Sequence, residues 1–166
     1  MAGTEPLHLE AGMSTNPVPE GYPRLTPYLY VDGAAAAIDF YCAVFGATER
    51  VRFSAPGGRL GHAELEIGDS VLMLADEFPD MGVRGPKTIG GTAMSLMIYV
   101  DDVDAVVGKA ASLGATVLRE VENKFYGDRA GQIEDPFGHR WDVTTHIEDV
   151  PPDEMARRAA EAMSGG

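Results

Sequence analysis

Hydrophobic and polar residues alternate along this chain with two different periods. From Thr26 to Val31 the period is two, which predicts a strand. Apolar residues then recur at the i, i+3, i+4 and i+7 spacing of a helix: Ile38, Tyr41, Cys42 and Phe45. Asp32 is the expected N-cap of this helix and Gly46 its C-terminal end. Three short strand-like runs follow, at about 49–54, 59–67 and 70–75.

The same order of periods begins again at Ser95. A strand over 95–100 leads into a helix that Asp102 can cap and that Gly114 ends. Three more strand-like runs follow, at about 116–121, 129–134 and 140–146. Tyr30-Val31-Asp32 aligns with Tyr99-Val100-Asp101 at an offset of about 69 residues. The sequence therefore predicts an α+β fold built from an internal duplication of a βαβββ module.

The segments outside the two modules lack a sustained apolar period. Residues 1–24 are rich in Gly, Pro, Ser and Thr and are predicted to form a flexible tail. Residues 77–93 are predicted to be a connecting loop, and residues 148–166 a C-terminal tail with a short helix at about 153–163. The remaining boundaries are one domain at 25–147, module one at 25–76 and module two at 94–147.

Two turns fix which side chains share a face. A two-residue turn at Gly68-Asp69 pairs Ile67 with Ser70 and, counting back, Glu64 with Met73. His62 and Glu64 are therefore expected on the face that carries Met73. The second turn is Asp135-Pro136-Phe137-Gly138, after which strand alternation places four side chains on one face: Arg140, Asp142, Thr144 and His146.

Charge and composition exclude several classes of function. The formal net charge of −13 argues against a nucleic-acid partner, because phosphate binding depends on Lys and Arg. No apolar run is long enough for a membrane-spanning helix. The N-terminus, with Glu5 and Glu10, does not read as a signal peptide, and the single cysteine, Cys42, forms no disulfide framework. A cytoplasmic protein without membrane or nucleic-acid partners is expected.

Two βαβββ modules whose first helix ends in Phe/Leu-Gly-Ala resemble the vicinal oxygen chelate superfamily, which includes glyoxalase I, bleomycin-resistance proteins, fosfomycin-resistance enzymes and extradiol dioxygenases. The runs LGHAELEIGDSVLMLADEFP and FYGDRAGQIEDPFGHRWDV look like the PhnB-like branch. The resemblance implies that the modules pair into a curved, cup-like mixed β-sheet with flanking helices. A second subunit often completes or flanks this cup, so a homodimer is expected.

The resemblance also locates the usual metal ligands. Glyoxalase-like members take one ligand from the first strand and one from the last strand of each module. These positions fall here on Thr26, Met73, Ser95 and Asp142. Only Asp142 is a hard ligand, whereas such sites need about three protein donors. The metal site is therefore expected to be lost and no cofactor is expected; the alternative is a divalent metal at a relocated site of His62, Glu64 and Asp142.

Several side chains are expected to bind a small molecule in the cup. Most are aromatic or Met residues. Phe125 and Tyr126 lie in the loop before the predicted strand at 129–134, and the others lie at inward-facing strand positions: Tyr28, Tyr30, Met73, Met97, Tyr99 and Arg140. Aromatic side chains on a concave sheet could stack on a flat or cationic ligand, although filling of the core would explain each of them singly.

Three kinds of function remain open on the sequence, and whether the protein is an enzyme is among the open questions. The first is a resistance-like protein that sequesters an aromatic or cationic small molecule without a metal. The second is a lyase, isomerase or dioxygenase that acts on a small oxygenated substrate through a noncanonical metal or through His62, Glu64 and Asp142 as acid and base. The third is a structural or regulatory dimer with a vestigial cup.

Overall fold

Two four-stranded sheets with the same strand order form the framework of the protein. The structure, a computed structural model, describes residues 15–164. The first sheet has the order β1-β4-β3-β2, with β1 at Tyr28–Val31, β2 at Thr48–Ser54, β3 at Leu60–Ile67 and β4 at Ser70–Asp76. The second has the order β5-β8-β7-β6, with β5 at Ser95–Tyr99, β6 at Thr116–Asn123, β7 at Asp128–Glu134 and β8 at Arg140–His146.

Four helices accompany these strands within residues 15–164: α1 at Ala34–Phe45, α2 at Pro86–Ile89, α3 at Val103–Ser112 and α4 at Pro152–Ser164. The prediction of an α+β fold of two tandem βαβββ modules is confirmed. The mixed β-structure takes the form of two sheets, and the described residues form no closed barrel. Also within these residues, no helix has the length and apolar character needed to cross a membrane.

The register of the sheets agrees with the counting from the turns. In the first module Ile67 pairs with Ser70 and Glu64 with Met73, as predicted. The parallel pair Tyr28–Met73 recurs in the second module as Met97–Asp142, with both members 69 positions later. The duplication therefore extends to individual side-chain positions, and Asp142 is the counterpart of Met73.

One hydrophobic core lies between the two sheets and contains α1 and α3. These helices contact each other, and each packs on the sheet of its own module. Trp141 of β8 reaches into the first module, where its ring centroid lies 5.4 Å from that of Tyr41 and 4.6 Å from that of Phe45. Because the helices cover one face of each sheet, the opposite faces are left open, and Tyr28 and Tyr99 lie on them 39% and 61% exposed.

The start of α1 differs from the prediction. The N-cap position is Gly33 and has no side-chain cap, so the assignment of Asp32 as N-cap is wrong. The carboxylate of Asp76 replaces it, since Asp76 Oδ1 accepts hydrogen bonds from the backbone N–H groups of Gly33 at 2.9 Å and Ala34 at 2.8 Å. Parallel pairing of β1 with β4 brings the end of β4 beside the start of α1. In α3 the predicted cap is present, because Asp102 Oδ1 accepts from Ala105 N at 3.0 Å.

The connecting segments contain more order than their composition indicates. The predicted loop at 77–93 includes a 3₁₀ turn at 79–81 and the one-turn helix α2. Buried Glu77 holds this segment together, because it accepts from Gly85 N at 2.8 Å and Thr88 Oγ1 at 2.7 Å. These two hydrogen bonds lower the pKa of Glu77. Of the predicted N-terminal tail, residues 1–14 lie outside the described residues.

Candidate functional site

Strand alternation gives each sheet an open face that carries polar and aromatic side chains. We call the open face of the first sheet the first face; it includes Tyr28, Tyr30, His62, Glu64 and Met73. We call the open face of the second sheet the second face; it includes Met97, Gln132, Asp142 and Thr144. The register makes the faces equivalent in position, since Glu64 pairs with Met73 as Gln132 pairs with Asp142. Their chemistry differs. The pair on the first face is a carboxylate and a thioether, whereas the pair on the second face is an amide and a carboxylate.

A line of hydrogen bonds crosses the first face. Tyr28 Oη lies 2.8 Å from His62 Nδ1, and His62 Nε2 lies 3.1 Å from Glu64 Oε1. Tyr22 Oη donates to the other carboxylate oxygen, Glu64 Oε2, at 2.7 Å. Tyr22 belongs to the segment that the sequence predicts to be a flexible tail. Its contact helps to leave Glu64 only 6% exposed, so this carboxylate is buried rather than solvated.

The protonation state of this line follows from its partners. Burial raises the pKa of Glu64, but the hydrogen bonds from Tyr22 and His62 lower it by more, so Glu64 stays ionised near neutral pH. Burial raises the pKa of Tyr28 and keeps its hydroxyl protonated. In the neutral form of His62, the hydrogen-bond network assigns the ring proton to Nε2, which donates to Glu64, while Nδ1 accepts from Tyr28 Oη.

Aromatic rings surround this line. The ring centroids of Tyr28 and Tyr30 lie 5.2 Å apart, and those of Tyr28 and His62 lie 5.5 Å apart. Phe53 of β2 stacks on the His62 ring at 6.1 Å and is 62% exposed. Sequence reasoning missed Tyr22 and Phe53. Phe53 pairs with His62, but a register shift between Phe53 and Ser54 means that counting from the turn at 56–58 would not have found this pair.

The second face contains a cavity of about 420 Å³. Its lining combines aromatic, charged and small residues: Met97, Arg119, Glu122, Lys124, Phe125, Tyr126, Ala130, Gly131, Gln132, Asp142 and Thr144. Four of the predicted site residues, Met97, Phe125, Tyr126 and Asp142, are brought together here. The rings of Phe125 and Tyr126 meet edge to face with centroids 5.2 Å apart.

Two polar side chains of the cavity, Asp142 and Thr144, differ in how their hydrogen bonds are satisfied. Asp142 is held from both sides, because Ser95 Oγ donates to its Oδ2 and Gln132 Nε2 donates to its Oδ1 at 2.9 Å. Thr144 is fully buried, and its Oγ1 has no hydrogen-bond partner among the residues that the structure describes. A buried hydroxyl without a partner is energetically costly.

The usual metal-ligand positions do not fit a divalent cation. Of Thr26, Met73, Ser95 and Asp142, only Asp142 is a hard ligand, and both of its oxygens already accept hydrogen bonds. Across residues 15–164, no three His, Cys, Asp or Glu side chains are grouped closely enough to hold a metal ion. The alternative set is also divided within one chain, because His62 and Glu64 lie on the first sheet and Asp142 on the second.

Three further residues that the sequence indicated lie away from the walls of the second-face cavity. Tyr99 Oη donates to Asp128 Oδ2 at 3.2 Å. Arg140 is exposed at the start of β8, with its Nε 3.5 Å from Glu134 Oε2. His146 lies between two carboxylates, with Nδ1 2.7 Å from Asp128 Oδ1 and Nε2 2.9 Å from Asp149 Oδ1.

The ion pairs of His146 predict a dependence of stability on pH. The hydrogen bond to Asp128, followed by that to Asp149, raises the pKa of His146 above its ordinary value of 6.5. A raised pKa in the folded state contributes stability that is fully present below the unfolded pKa and is lost as the pH rises through the folded pKa. The difference in unfolding free energy between the wild type and His146→Gln is thus expected to be larger at about pH 6 than at about pH 9. Urea denaturation at both pH values measures it, and a difference that is independent of pH would contradict this assignment.

Comparison with known proteins agrees with this architecture. The model of the Glyoxalase/Bleomycin resistance protein/Dioxygenase superfamily matches residues 22–143. An uncharacterized protein of Mycobacterium tuberculosis is 43% identical over 136 residues, which cover 80% of this chain and 80% of that protein.

Solved structures show the same fold. TioX from Micromonospora sp. ML1 is 26% identical with a TM-score of 0.59, and the match covers 75% of this chain and 99% of that chain. The PhnB protein from Bacillus cereus, a putative 3-demethylubiquinone-9 3-methyltransferase, is 20% identical with a TM-score of 0.58, and the match covers 74% of this chain and 99% of that chain. The family model, which matches well over half of the residues, and the mycobacterial relative together establish the family. The chain belongs to the glyoxalase/bleomycin resistance protein/dioxygenase superfamily.

Proposed function

We propose that this protein binds an aromatic or cationic small molecule without a resident metal, in the manner of a resistance protein, and that it belongs to the PhnB-like branch. The observation that carries the proposal is the cavity of about 420 Å³ on the second face, which the aromatic pair Phe125 and Tyr126 and the carboxylate of Asp142 line. Cavities of this size accommodate small organic molecules. The rings of Phe125 and Tyr126 offer stacking surface.

The second-face cavity is lined by two cations, Arg119 and Lys124, and by two carboxylates, Glu122 and Asp142, so a preference for a cationic ligand rests on the position of Asp142. Asp142 receives hydrogen bonds from two neutral groups, Ser95 and Gln132, so its negative charge is oriented but not neutralised. Lys124 is engaged by Glu122 at 2.6 Å, which offsets the positive charge of one wall. The net charge of −13 would attract a cation over a longer range.

A homodimer is part of this proposal, because both faces expose large apolar side chains. Phe53 of the first face is 62% exposed, and Met97 of the second face is 59% exposed. Coverage by a second copy would remove these surfaces from water and would complete the cup. Phe53→Glu is then expected to shift the sedimentation coefficient from that of a dimer to that of a monomer. Met163→Glu, at an exposed apolar residue of helix α4, is the control and should leave it unchanged.

Titration with proflavine, a planar aromatic cation, tests the binding function. The wild type is expected to bind at micromolar concentration, with or without a chelator. Phe125→Ala should weaken binding about fivefold, since loss of one stacking contact is worth about 1 kcal/mol. Asp142→Asn should weaken the binding of proflavine but not that of neutral anthracene methanol.

The matched control is Glu120→Gln on β6, which removes the same charge from a residue outside the cavity lining. Absence of proflavine binding below millimolar concentration would refute the binding function. An equal effect of Asp142→Asn and Glu120→Gln would remove Asp142 from the site.

The hydrogen-bonded line on the first face favours a second candidate function, a lyase or isomerase that moves a proton. A substrate proton would pass to Tyr28 Oη while the Tyr28 proton passes to His62 Nδ1, and Glu64 would stabilise the resulting imidazolium. Exchange of α-protons of small hydroxyketones in D₂O, followed by NMR, is the corresponding assay. His62→Gln is expected to slow the exchange at least about 100-fold. Equal exchange rates for the wild type and this variant would exclude the mechanism.

A further inference from the structure

A second and larger cavity, of about 740 Å³, lies between the two modules. Phe45 of α1 and Trp141 of β8 belong to its apolar lining, to which the hairpin turn between β3 and β4 and the segment from β5 into α3 also contribute. Pro23 and Leu25 add residues that precede β1. We call this the intermodule cavity. Apart from Met97 it shares no lining residue with the cavity of the second face.

The lining of the intermodule cavity is mostly apolar, and its charged residues are all negative. Its charged members are three aspartates, and no described Lys, Arg or His residue lines it. Asp69 lies in the turn of the first module, whereas Asp101 and Asp102 lie between β5 and α3 of the second. The negative charges therefore come from both modules that border the cavity.

These carboxylates form no salt bridge within the described residues, although Arg129, which binds Asp104, lies close enough to Asp102 for the two charges to interact. The salt bridges formed within residues 15–164 involve none of the three. Asp102 Oδ1 accepts from Ala105 N as the cap of α3, and Asp69 Oδ1 accepts from Ser70 Oγ at 3.1 Å. Each of these hydrogen bonds has a neutral donor, and the negative charges of Asp69 and Asp101 remain at the cavity.

We propose that the intermodule cavity is a second ligand site, which binds an amphiphilic cation. The apolar part would lie against Phe45 and Trp141, and the ammonium group would lie at Asp69 and Asp101. Charge complementarity identifies this class of ligand, because an apolar cavity bordered only by carboxylates disfavours an apolar anion and gives a neutral molecule no electrostatic gain. The volume is within the range of about 300 to 1,000 Å³ that small-molecule sites occupy.

Trp141 makes this site directly observable. It is the only tryptophan of the sequence, is 4% exposed and contributes to the lining. The test is a titration of the full-length protein with decylammonium, decanol and decanoate below their micellar concentrations, monitored by tryptophan fluorescence. Decylammonium is expected to change the fluorescence with a dissociation constant at least about tenfold below that of decanoate.

Two variants separate the apolar and charged parts of the site. The double variant Asp69→Asn and Asp101→Asn should weaken decylammonium about tenfold and leave decanol unchanged; Asp102 is kept because it caps α3. Ala105→Phe, on the exposed side of α3 where that residue lines the cavity, should block all three probes while the circular dichroism spectrum is retained. The double variant Glu120→Gln and Asp153→Asn is the charge-matched control and should bind like the wild type.

Three outcomes would overturn the proposal. Equal affinities for decylammonium and decanoate would remove the role of the aspartates. Undiminished binding to Ala105→Phe would place the probe elsewhere. Loss of binding with increasing protein concentration would show that a second copy of the chain occupies the cavity. Phe125→Ala, which alters only the second face, should leave decylammonium binding unchanged, so failure at one site is distinguishable from failure at the other.

Discussion

Replacing Asp135 with alanine is expected to lower the free energy of unfolding by about 4 kcal/mol, and the melting temperature by about 8 to 16 °C. Asp135 is 3% exposed, and its carboxylate accepts four hydrogen bonds. Oδ1 accepts from the backbone N–H groups of Phe137 and His139, each at 2.9 Å. Oδ2 accepts from Tyr41 Oη at 2.6 Å and from Trp141 Nε1 at 2.9 Å.

The size of this effect comes from the donors that the substitution leaves behind. Tyr41 and Trp141 are buried in the core between the modules, and each unsatisfied buried donor costs about 1 to 3 kcal/mol. Burial raises the pKa of Tyr41 well above its ordinary value, so its hydroxyl remains a donor at any accessible pH. The carboxylate thus joins the turn of the second module to α1 of the first.

Urea denaturation checks the effect of Asp135→Ala. Tyr41→Phe, which removes one donor together with its need for a partner, should cost only about 1 kcal/mol. Glu134→Ala, at the preceding and partly exposed residue, should cost less than about 0.5 kcal/mol. A loss of less than about 1.5 kcal/mol in Asp135→Ala would show that water replaces the carboxylate and that the connection between the modules does not depend on it.

Gly127→Ala is expected to destabilise the protein by about 3 kcal/mol or more. Gly127 has φ = +95°, and a Cβ atom built on it would lie 2.1 Å from the carbonyl oxygen of Glu148 and 3.0 Å from Val150 Cγ2. The backbone has little freedom to move away, because Gly127 O accepts from both Ile147 N and Glu148 N at 2.9 Å.

Gly68→Ala is the matched control for Gly127→Ala. Gly68 also has a positive φ, of +58°, but no atom lies within 4 Å of the position of its added Cβ. Its substitution should therefore cost only the backbone strain of about 1 to 2 kcal/mol. Equal losses of stability in the two variants, measured by denaturation, would show that the contact with Glu148 plays no part.

The prediction of the fold succeeded where the information was local. Alternation and turn residues locate the strands, and a two-residue turn fixes the register of its hairpin, so the pairing of Glu64 with Met73 could be counted from the sequence. The N-cap of α1 could not be found in this way. Its acceptor is Asp76, which lies 42 and 43 residues away from the N–H groups that it caps and reaches them only through parallel strand pairing.

The lining of the second face was predicted only in part for a similar reason. Gln132 was within reach of counting, since it pairs with Asp142 across a regular hairpin. Arg119 and Glu122 were not, because β6 changes register between Val117 and Arg119 and again between Arg119 and Glu122. Such irregularities reassign side chains to the other face, so strict alternation fails for this strand.

The hydrogen bond between Tyr22 and Glu64 could not be predicted from amino-acid composition. Residues 1–24 have the composition of a flexible segment, yet Tyr22 donates to Glu64 across 42 residues of sequence. A single aromatic residue in a polar segment gives no periodic signal. Its contact depends on the place of Glu64 on the sheet, which the composition of the tail does not reveal.

The pairing of first strands with last strands has a consequence for the order in which the chain is made. β1 pairs with β4 and β5 pairs with β8, so each sheet is completed only when its final strand leaves the ribosome. The aromatic side of α1 is covered later still, because Tyr41 and Phe45 pack on Trp141, which lies near the end of the second module. A nascent chain that ends before β8 exposes this surface, and it is at this stage of synthesis that the protein most needs protection from aggregation.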